Sequence, residues 1–520
     1  MGTTNKSFII HPFLFAVAPV LYFLSVNLEE LSIFDSKILL TILAVIILSI
    51  FLWLIFGFIL KNKNKGAILA SLFLIFFFSY GYIHALIPTF RIPLGITTLG
   101  PDKVLFIFGV LVLGAVFVGL WRTNKILDRL TGFSNVVGIA LLSILLVKIV
   151  PHEFSSREIS RPGAEPVNTK QLTAEEKERI PDIYYIILDR YARADVLKES
   201  YGYDNSEFIK YLESKGFYVA SQSYANYPRT WTSLASSLNM KHLTYLEDEL
   251  GEDFQSRKPV YEMIQDYEVW RFLKARGYRF IHFGDWVSFT SKNRFADENV
   301  NYFGLMGDEF LGSFLKNTLI YPIYNIIFPI DEIARRRHLY KFARLQEMPT
   351  VEGPKFVFVH MLIPHEPFVF DRFGSSVTPE QVANRSLEEN YLGQLIFLNQ
   401  KMKEVIDTLL ADSPKPPIVV VQSDEGPFPS GWLTDEESGD DWQKQSFEDL
   451  KTKTAILNSY YLPGVDVKKL LYPTTTPVNS FRIIFNQYFG SSYDLLPDQI
   501  FIPAPNSLYK FVDVTENFLD

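Results

Sequence analysis

Residues able to do chemistry on a phosphoryl or sulfuryl group fall at four places in this chain: Thr230, Asp189, the pair Asp424-Glu425, and His365. Thr230 lies within Asn226-Tyr-Pro-Arg-Thr-Trp-Thr-Ser-Leu-Ala-Ser-Ser-Leu-Asn239, where a Pro-containing extended approach gives way to Leu234, Ala235 and Leu238 at helical spacing. That pattern predicts a helix beginning at Thr230. The first turn of a helix leaves backbone N–H groups unpaired at the positive end of the dipole, so an anion could rest against a hydroxyl held there. Taken by itself, Thr230 reads as an ordinary N-cap; the other three places change that reading.

Asp189 ends the run Ile183 to Leu188 (IYYIIL), and Asp424 and Glu425 follow Pro417 to Gln422 (PIVVVQ). His365 comes shortly after Phe356 to Leu362 (FVFVHML). Each run is β-branched, aliphatic or aromatic and short enough for a buried strand. His360, inside the third run, reads as a core histidine. An Asp after a strand is commonly only a turn former. In layered α/β folds, however, ligands gather beyond the carboxyl ends of the strands, so acids distant in sequence can converge there. Three carboxylates and a hydroxyl would suit a divalent cation with oxygen ligands. Such a cation would lower the pKa of the Thr230 hydroxyl and neutralise charge developing on phosphoryl oxygens, which would let the threonine act as a nucleophile.

The elements that must position these groups alternate. Strand-like runs at Ile183–Leu188, from Tyr218, at Arg279–Phe283, Phe356–Leu362 and Pro417–Gln422 are separated by helical stretches over 195–215, 259–276 (closed by Gly277) and 378–412. The expected fold is α/β, a mainly parallel sheet covered by helices over residues 181–520. The insertion between Asn299 and Pro354 carries Arg335-Arg-Arg337, read as a solvated helix face, with contact to anionic head groups or cover over the site as alternatives.

Ahead of that domain, five apolar runs, roughly Phe8–Val26, Ile38–Leu60, Ala67–Leu86, Val104–Trp121 and Phe133–Val150, each come near the length a bilayer needs. They predict a bundle of five transmembrane helices over 1–150, followed by a linker over 151–180 rich in Ser, Pro and mixed charge. Lys61, Lys63, Lys65, Arg122, Lys125 and Arg129 occupy two of the connecting loops, whereas Glu29, Glu30 and Asp35 occupy another. The positive-inside rule then puts the N-terminus in the cytoplasm and everything after the fifth crossing outside. The chain has no cysteine, so the outer domain must rest on its core rather than on disulfides. A net charge of -8 offers no broad basic face and argues against nucleic acid as a partner.

The order Tyr185-Ile-Ile-Leu-Asp189, Thr230-Trp-Thr-Ser233-Leu, Gly277-Tyr-Arg-Phe-Ile-His282-Phe-Gly-Asp-Trp286, His360-Met-Leu-Ile-Pro-His365-Glu-Pro367 and Gln422-Ser-Asp424-Glu425-Gly426 resembles the sulfatase-like branch of the alkaline phosphatase superfamily. With five helices in front, the chain resembles the membrane-anchored lipoteichoic acid synthases and phosphoethanolamine transferases. The resemblance implies that Asp189, Thr230, Asp424 and Glu425 hold a divalent metal (Mn, Mg, Ca or Zn) and that Thr230 is the nucleophile. It further implies that His365 binds the substrate's anionic group or assists the leaving group, and that His282, Trp286 and Arg294 line the substrate pocket. Where such families usually carry Asp-His or Asp-Asn, this chain has Asp424-Glu425; an oxygen ligand there shifts the preference toward Mn, Mg or Ca, or marks a site without metal. Thr230 and the lack of cysteine speak against a formylglycine sulfatase. The implied function is a membrane-anchored hydrolase or phosphotransferase acting on phosphodiester, phospholipid or glycan head groups. The alternatives are a sulfate or phosphate monoester hydrolase and a non-catalytic membrane protein of the same fold.

Overall fold

The computed structural model describes residues 8–28, 31–87, 92–94, 97–123, 127–157, 180–302, 309–323, 330–429 and 442–518. The chain divides into two compact units: Met1–Ile159 with Glu309–Pro329, and Ser160–Asp308 with Ile330–Asp520. Most of the expected linker, 158–179, lies outside the described residues, as do Glu29, Glu30 and Lys125.

The first unit contains helices α1 (His11–Val26), α2 (Ser36–Ile59), α3 (Lys63–Ala85), α4 (Pro101–Arg122) and α5 (Asp128–Arg157). A short antiparallel pair, β1 (Ile92–Leu94) and β2 (Thr97–Leu99), joins α3 to α4. Four of the helices, α2 to α5, are long and apolar enough to cross a membrane. The first has 16 residues, about 24 Å of helix at 1.5 Å per residue, against roughly 30 Å of hydrocarbon. Large apolar side chains of α2, among them Leu40, Leu43, Phe51, Leu54 and Phe58, are exposed, which suits a lipid surround and not water. Two of the basic loops meet, since Lys65 Nζ donates to the Thr123 carbonyl at 2.7 Å and Asn64 Nδ2 to Asp128 Oδ1 at 2.7 Å.

The second unit is built on a seven-stranded sheet of order β4-β9-β8-β3-β7-β5-β6. Its strands are β3 (Ile183–Leu188), β4 (Tyr218–Val219), β5 (Arg279–Phe283), β6 (Glu298–Val300), β7 (Lys355–Met361), β8 (Ile418–Gln422) and β9 (Asn458–Tyr461). Strands β8, β3, β7, β5 and β6 are parallel, while β9 and β4 add an antiparallel edge. Strands β3, β7 and β8 are buried along their whole length, as expected for a parallel sheet covered on both faces. Alternate residues of β3 serve the two faces: Tyr184, Ile186 and Leu188 join one core, Ile183, Tyr185 and Ile187 the other. A last antiparallel pair, β10 (Phe501–Pro503) and β11 (Phe511–Asp513), closes the chain.

Three expected helices are each two. Ala194–Tyr201 stops at Gly202, whose φ of 64° is left-handed, before Ser206–Ser214 begins. Lys258–Gln265 and Glu268–Lys274 part at Asp266–Tyr267. Pro379–Ala383 is separate from Leu387–Asp412, which Ser386 opens with a capping box to Glu389.

Candidate active site

Asp189 leaves the end of β3 with its N–H donating to the Met361 carbonyl of β7 at 3.0 Å. Ile187 is aligned with His360 on one side and with Gln422 on the other. That register brings Asp189, His360 and Asp424 to one edge of three adjacent strands. One ligand atom of each lies within 4.8 Å of the others, and all three residues are buried. Asp189 Oδ1, His360 Nε2 and both Asp424 carboxylate oxygens have no hydrogen-bond partner in the protein. Buried polar atoms left unpaired are costly, so four converging on one point describe a site that fits a cation.

The electrostatics agree. Burial, then repulsion from Glu425, raises the Asp189 carboxyl well above its ordinary range. Burial, then repulsion from Asp189 and Glu425, pushes Asp424 up to about 8, while His360 and the nearby Thr230 hydroxyl pull it the other way. Thr230 is the first residue of the helix Thr230–Asn239; Arg229, extended at φ -129° and ψ 136°, holds the N-cap position. The Thr230 hydroxyl therefore faces Asp424 at the positive end of a helix instead of capping it.

Glu425 faces other partners. Its Oε1 accepts from Arg190 Nε at 3.1 Å and Lys453 Nζ at 2.7 Å. Arg190 Nη1 also donates to both Glu366 oxygens at 3.0 Å, and the Phe428 ring lies against both cations. His365 Nδ1 hydrogen-bonds the Glu366 carbonyl, which assigns the ring proton to Nδ1 and leaves Nε2 an acceptor. Burial, then the Arg190 charge, lowers the His365 pKa to about 4, so the ring is neutral at pH 7. Glu366 is lowered to about 2, because His365 and Arg190 outweigh its burial.

A buried polar network holds His360 from below. Its Nδ1 pairs with Thr290 Oγ1 at 2.8 Å, and its carbonyl accepts from Lys341 Nζ at 2.9 Å. His282 bonds the Thr290 carbonyl through Nε2 at 2.8 Å, placing it in this network. Lys341 is also paired with Asp285, which accepts from the Leu362 N–H at 3.1 Å and faces Arg337 Nη1 at 3.4 Å. Asp285 is held well below the carboxylate range because Lys341, His338 and Arg337 outweigh its burial.

The arginine cluster thus divides: Arg337 is buried on Asp285, whereas Arg335 and Arg336 pair with Glu332 at 3.5 and 2.8 Å. Trp286 is half-buried, its N–H donating to Asp285 Oδ1 at 2.9 Å. Arg294 is exposed and forks onto Glu262, and no contact among the described residues joins it to the three donors. Of the residues singled out in the sequence, Asp189, Thr230 and Asp424 come together, with Glu425 and His365 beside them. The sequence reading took His360 for a core histidine and singled out neither Arg190 nor Lys453. The signal for His360 was a titratable residue one place before the end of a strand that is otherwise apolar from Phe356 onward.

A family model described as Sulfatase matches residues 181–460. Among solved structures, the C-terminal periplasmic domain of EcEptC from Escherichia coli is similar over 68% of this chain and 97% of its own, at 12% identity and a TM-score of 0.44. The integral membrane protein lipooligosaccharide phosphoethanolamine transferase A from Neisseria meningitidis is similar over 91% of this chain and 93% of its own, at 13% identity and a TM-score of 0.38. The lipoteichoic acid synthase LtaP from Listeria monocytogenes is similar over 65% and 82%, at 13% identity and a TM-score of 0.39. Comparison with curated protein sequences gives no match.

Proposed function

The chain belongs to the sulfatase family of the alkaline phosphatase superfamily, and we propose that it is a membrane-anchored, metal-dependent hydrolase or phosphotransferase with Thr230 as nucleophile. Its substrates are phosphodiesters or phosphate-linked lipid or glycan head groups. The observation that carries this reading is the convergence of buried side-chain atoms without hydrogen-bond partners, from Asp189, His360 and Asp424, beside a threonine hydroxyl at a helix N-terminus.

Asp189, His360 and Asp424 would hold the cation, with Thr230 next to it. A bound divalent ion supplies positive charge that favours the threonine alkoxide and offsets charge on the phosphoryl oxygens. Glu425 is paired with Arg190 and Lys453, so those two cations compete with a metal for its carboxylate. His360 adds a nitrogen donor, which moves the preference toward zinc or manganese and away from magnesium and calcium.

In the first half-reaction Thr230 Oγ bonds to phosphorus as the bond to the leaving oxygen breaks, and the proton given up by the Thr230 hydroxyl ends on that oxygen. In the second, water or an acceptor hydroxyl attacks the same phosphorus as the bond to Thr230 Oγ breaks, and its proton passes by way of neutral His365 Nε2 to Oγ, which restores the Thr230 hydroxyl. The helix Thr230–Asn239 directs its unpaired N–H groups at the phosphoryl oxygens.

The apolar helices of the first unit and the basic loops between them favour an N-terminus in the cytoplasm, five crossings and a catalytic domain on the outer face. There a tethered enzyme and a lipid substrate share one surface, which raises their effective concentration. The test is turnover of a panel of phosphodiester, phosphomonoester and sulfate-ester substrates by the full-length protein loaded in turn with zinc, manganese, magnesium and calcium. Thr230→Ala should lower phosphodiester turnover by about 10³-fold or more while leaving metal content unchanged. Full activity in that variant, or activity after chelation equal to that of the loaded protein, would overturn the reading.

A further inference from the structure

Asp424 and Glu425 are neighbours in sequence and equally buried, yet their carboxylates meet opposite surroundings. Both Asp424 oxygens lack a hydrogen-bond partner among the described residues. Glu425 Oε1, by contrast, accepts from two cations, Arg190 Nε at 3.1 Å and Lys453 Nζ at 2.7 Å. One acid is left bare for a ligand while the next is saturated by the protein's own charges.

Both cations are fixed by the backbone around them. Arg190 has a left-handed φ of 63°, a conformation that costs a residue with a side chain roughly 1–2 kcal/mol. Its surroundings hold it there. The Arg190 carbonyl accepts from Tyr391 Oη at 2.8 Å, and the Tyr191 N–H donates to Ser423 Oγ at 2.9 Å. Ser423 Oγ lies 2.7 Å from both the Leu188 and the Glu425 carbonyls, so the turn after β3 and the turn after β8 are stapled together. Lys453, fully buried, comes near the end of the helix Phe447–Thr454. The Gly426 N–H donates to its carbonyl at 2.7 Å. That approach is open only to glycine, since a Cβ at position 426 would collide with the Thr452 carbonyl.

Arg190 Nε also stands 4.0 Å from Asp189 Oδ1, so one nitrogen links Glu425 to the donor group. From this we infer that Arg190 and Lys453 are positioning residues: they keep Glu425 off a cation held by Asp189, His360 and Asp424, and so set which metal the site selects. With Glu425 withheld, the donors are two carboxylates and an imidazole, a set suited to zinc. A third carboxylate would make the set oxygen-rich and favour magnesium or calcium. The inference rests on the reading of those three residues as a cation site and adds the cause of its metal preference.

The test is competition titration of the full-length, metal-free protein with zinc and with magnesium, read as the ratio of the two affinities. Loss of a nearby positive charge strengthens both divalent ions alike, whereas a new oxygen ligand favours magnesium. Lys453→Met should lower the zinc-to-magnesium ratio by about tenfold or more, and adding Glu425→Gln should restore the wild-type ratio. Glu425→Gln alone should leave the ratio unchanged; a rise there would mean that Glu425 is already a ligand, and would overturn the inference. So would an unchanged ratio in Lys453→Met, or a shift that persists in the double variant, each leaving the cation site itself standing. Wild-type protein that binds neither metal would overturn the inference together with the reading beneath it. Should a thermal melt show that Lys453→Met fails to fold, Arg190→Gln decides: its ratio should fall in the same direction, and an unchanged ratio removes the inference.

Discussion

At the scale of single residues, His360 and Glu425 keep other company than the sequence suggests for them. Glu425 follows Asp424 directly, yet its carboxylate turns to Lys453 and Arg190. His360 sits inside an apolar run, yet its Nε2 is 3.6 Å from Asp189 Oδ2. Asp189, Thr230 and Asp424 were legible because each marks the end of a strand or the start of a helix, where position follows from the element. His360 was not, because its meaning depends on the register of β7 against β3, which no local pattern encodes.

A pH dependence belongs at this scale. With the Asp424 carboxyl raised to about 8 by burial and its neighbouring acids, the metal-free site binds a proton at pH 7 that a cation must expel. Apparent metal affinity should therefore rise by roughly tenfold per pH unit between pH 6 and 8. Isothermal titration of zinc into the metal-free protein in buffers of different ionisation enthalpy checks this. Uptake without proton release would remove Asp424 from the ligand set. The sign for stability is the reverse of the usual carboxylate case. An acid whose folded pKa is raised disfavours the folded state once pH exceeds its unfolded value, so the metal-free protein should gain stability as pH falls from about 8 toward 5.

At the scale of elements, the strands were readable as apolar runs and their carboxyl ends as the place for ligands. The helix breaks at Gly202, Asp266–Tyr267 and Ser386 were less so. The pieces on each side of a break pack on the same face of the sheet, and the apolar spacing runs across it. The short turn carrying Thr290 was not singled out at all, though it orients the histidine through Oγ1. A metal-bound imidazole is fixed by the partner of its other nitrogen. Thr290→Val, close in volume but without the hydroxyl, should lower metal affinity by about 10- to 100-fold while the protein stays folded. Metal content after dialysis and a thermal melt of the metal-free form separate these effects: unchanged metal retention would reduce Thr290 to a packing residue, and Thr290→Ser should restore it.

At the scale of the whole molecule, the change from lipid-facing helices to an α/β domain was plain from hydropathy, since four long apolar helices leave little ambiguity. Membership of 309–329 in the first unit was not legible. The helix Glu309–Lys316 spans only eight residues, too short to register as membrane-associated by length. The antiparallel edge made by β9 and β4 was likewise hidden, because a strand's sequence says little about its direction.

The central claim is that the buried donors serve a nucleophilic threonine. Peptide mass spectrometry of the full-length protein, quenched in acid after incubation with phospholipid and zinc or manganese, tests it most directly. A phosphate-containing adduct on Thr230, formed with metal and lost on chelation, is the expected result. Steady turnover of the same lipid with Thr230 unmodified at every quench time, and undiminished in Thr230→Ala, would contradict it.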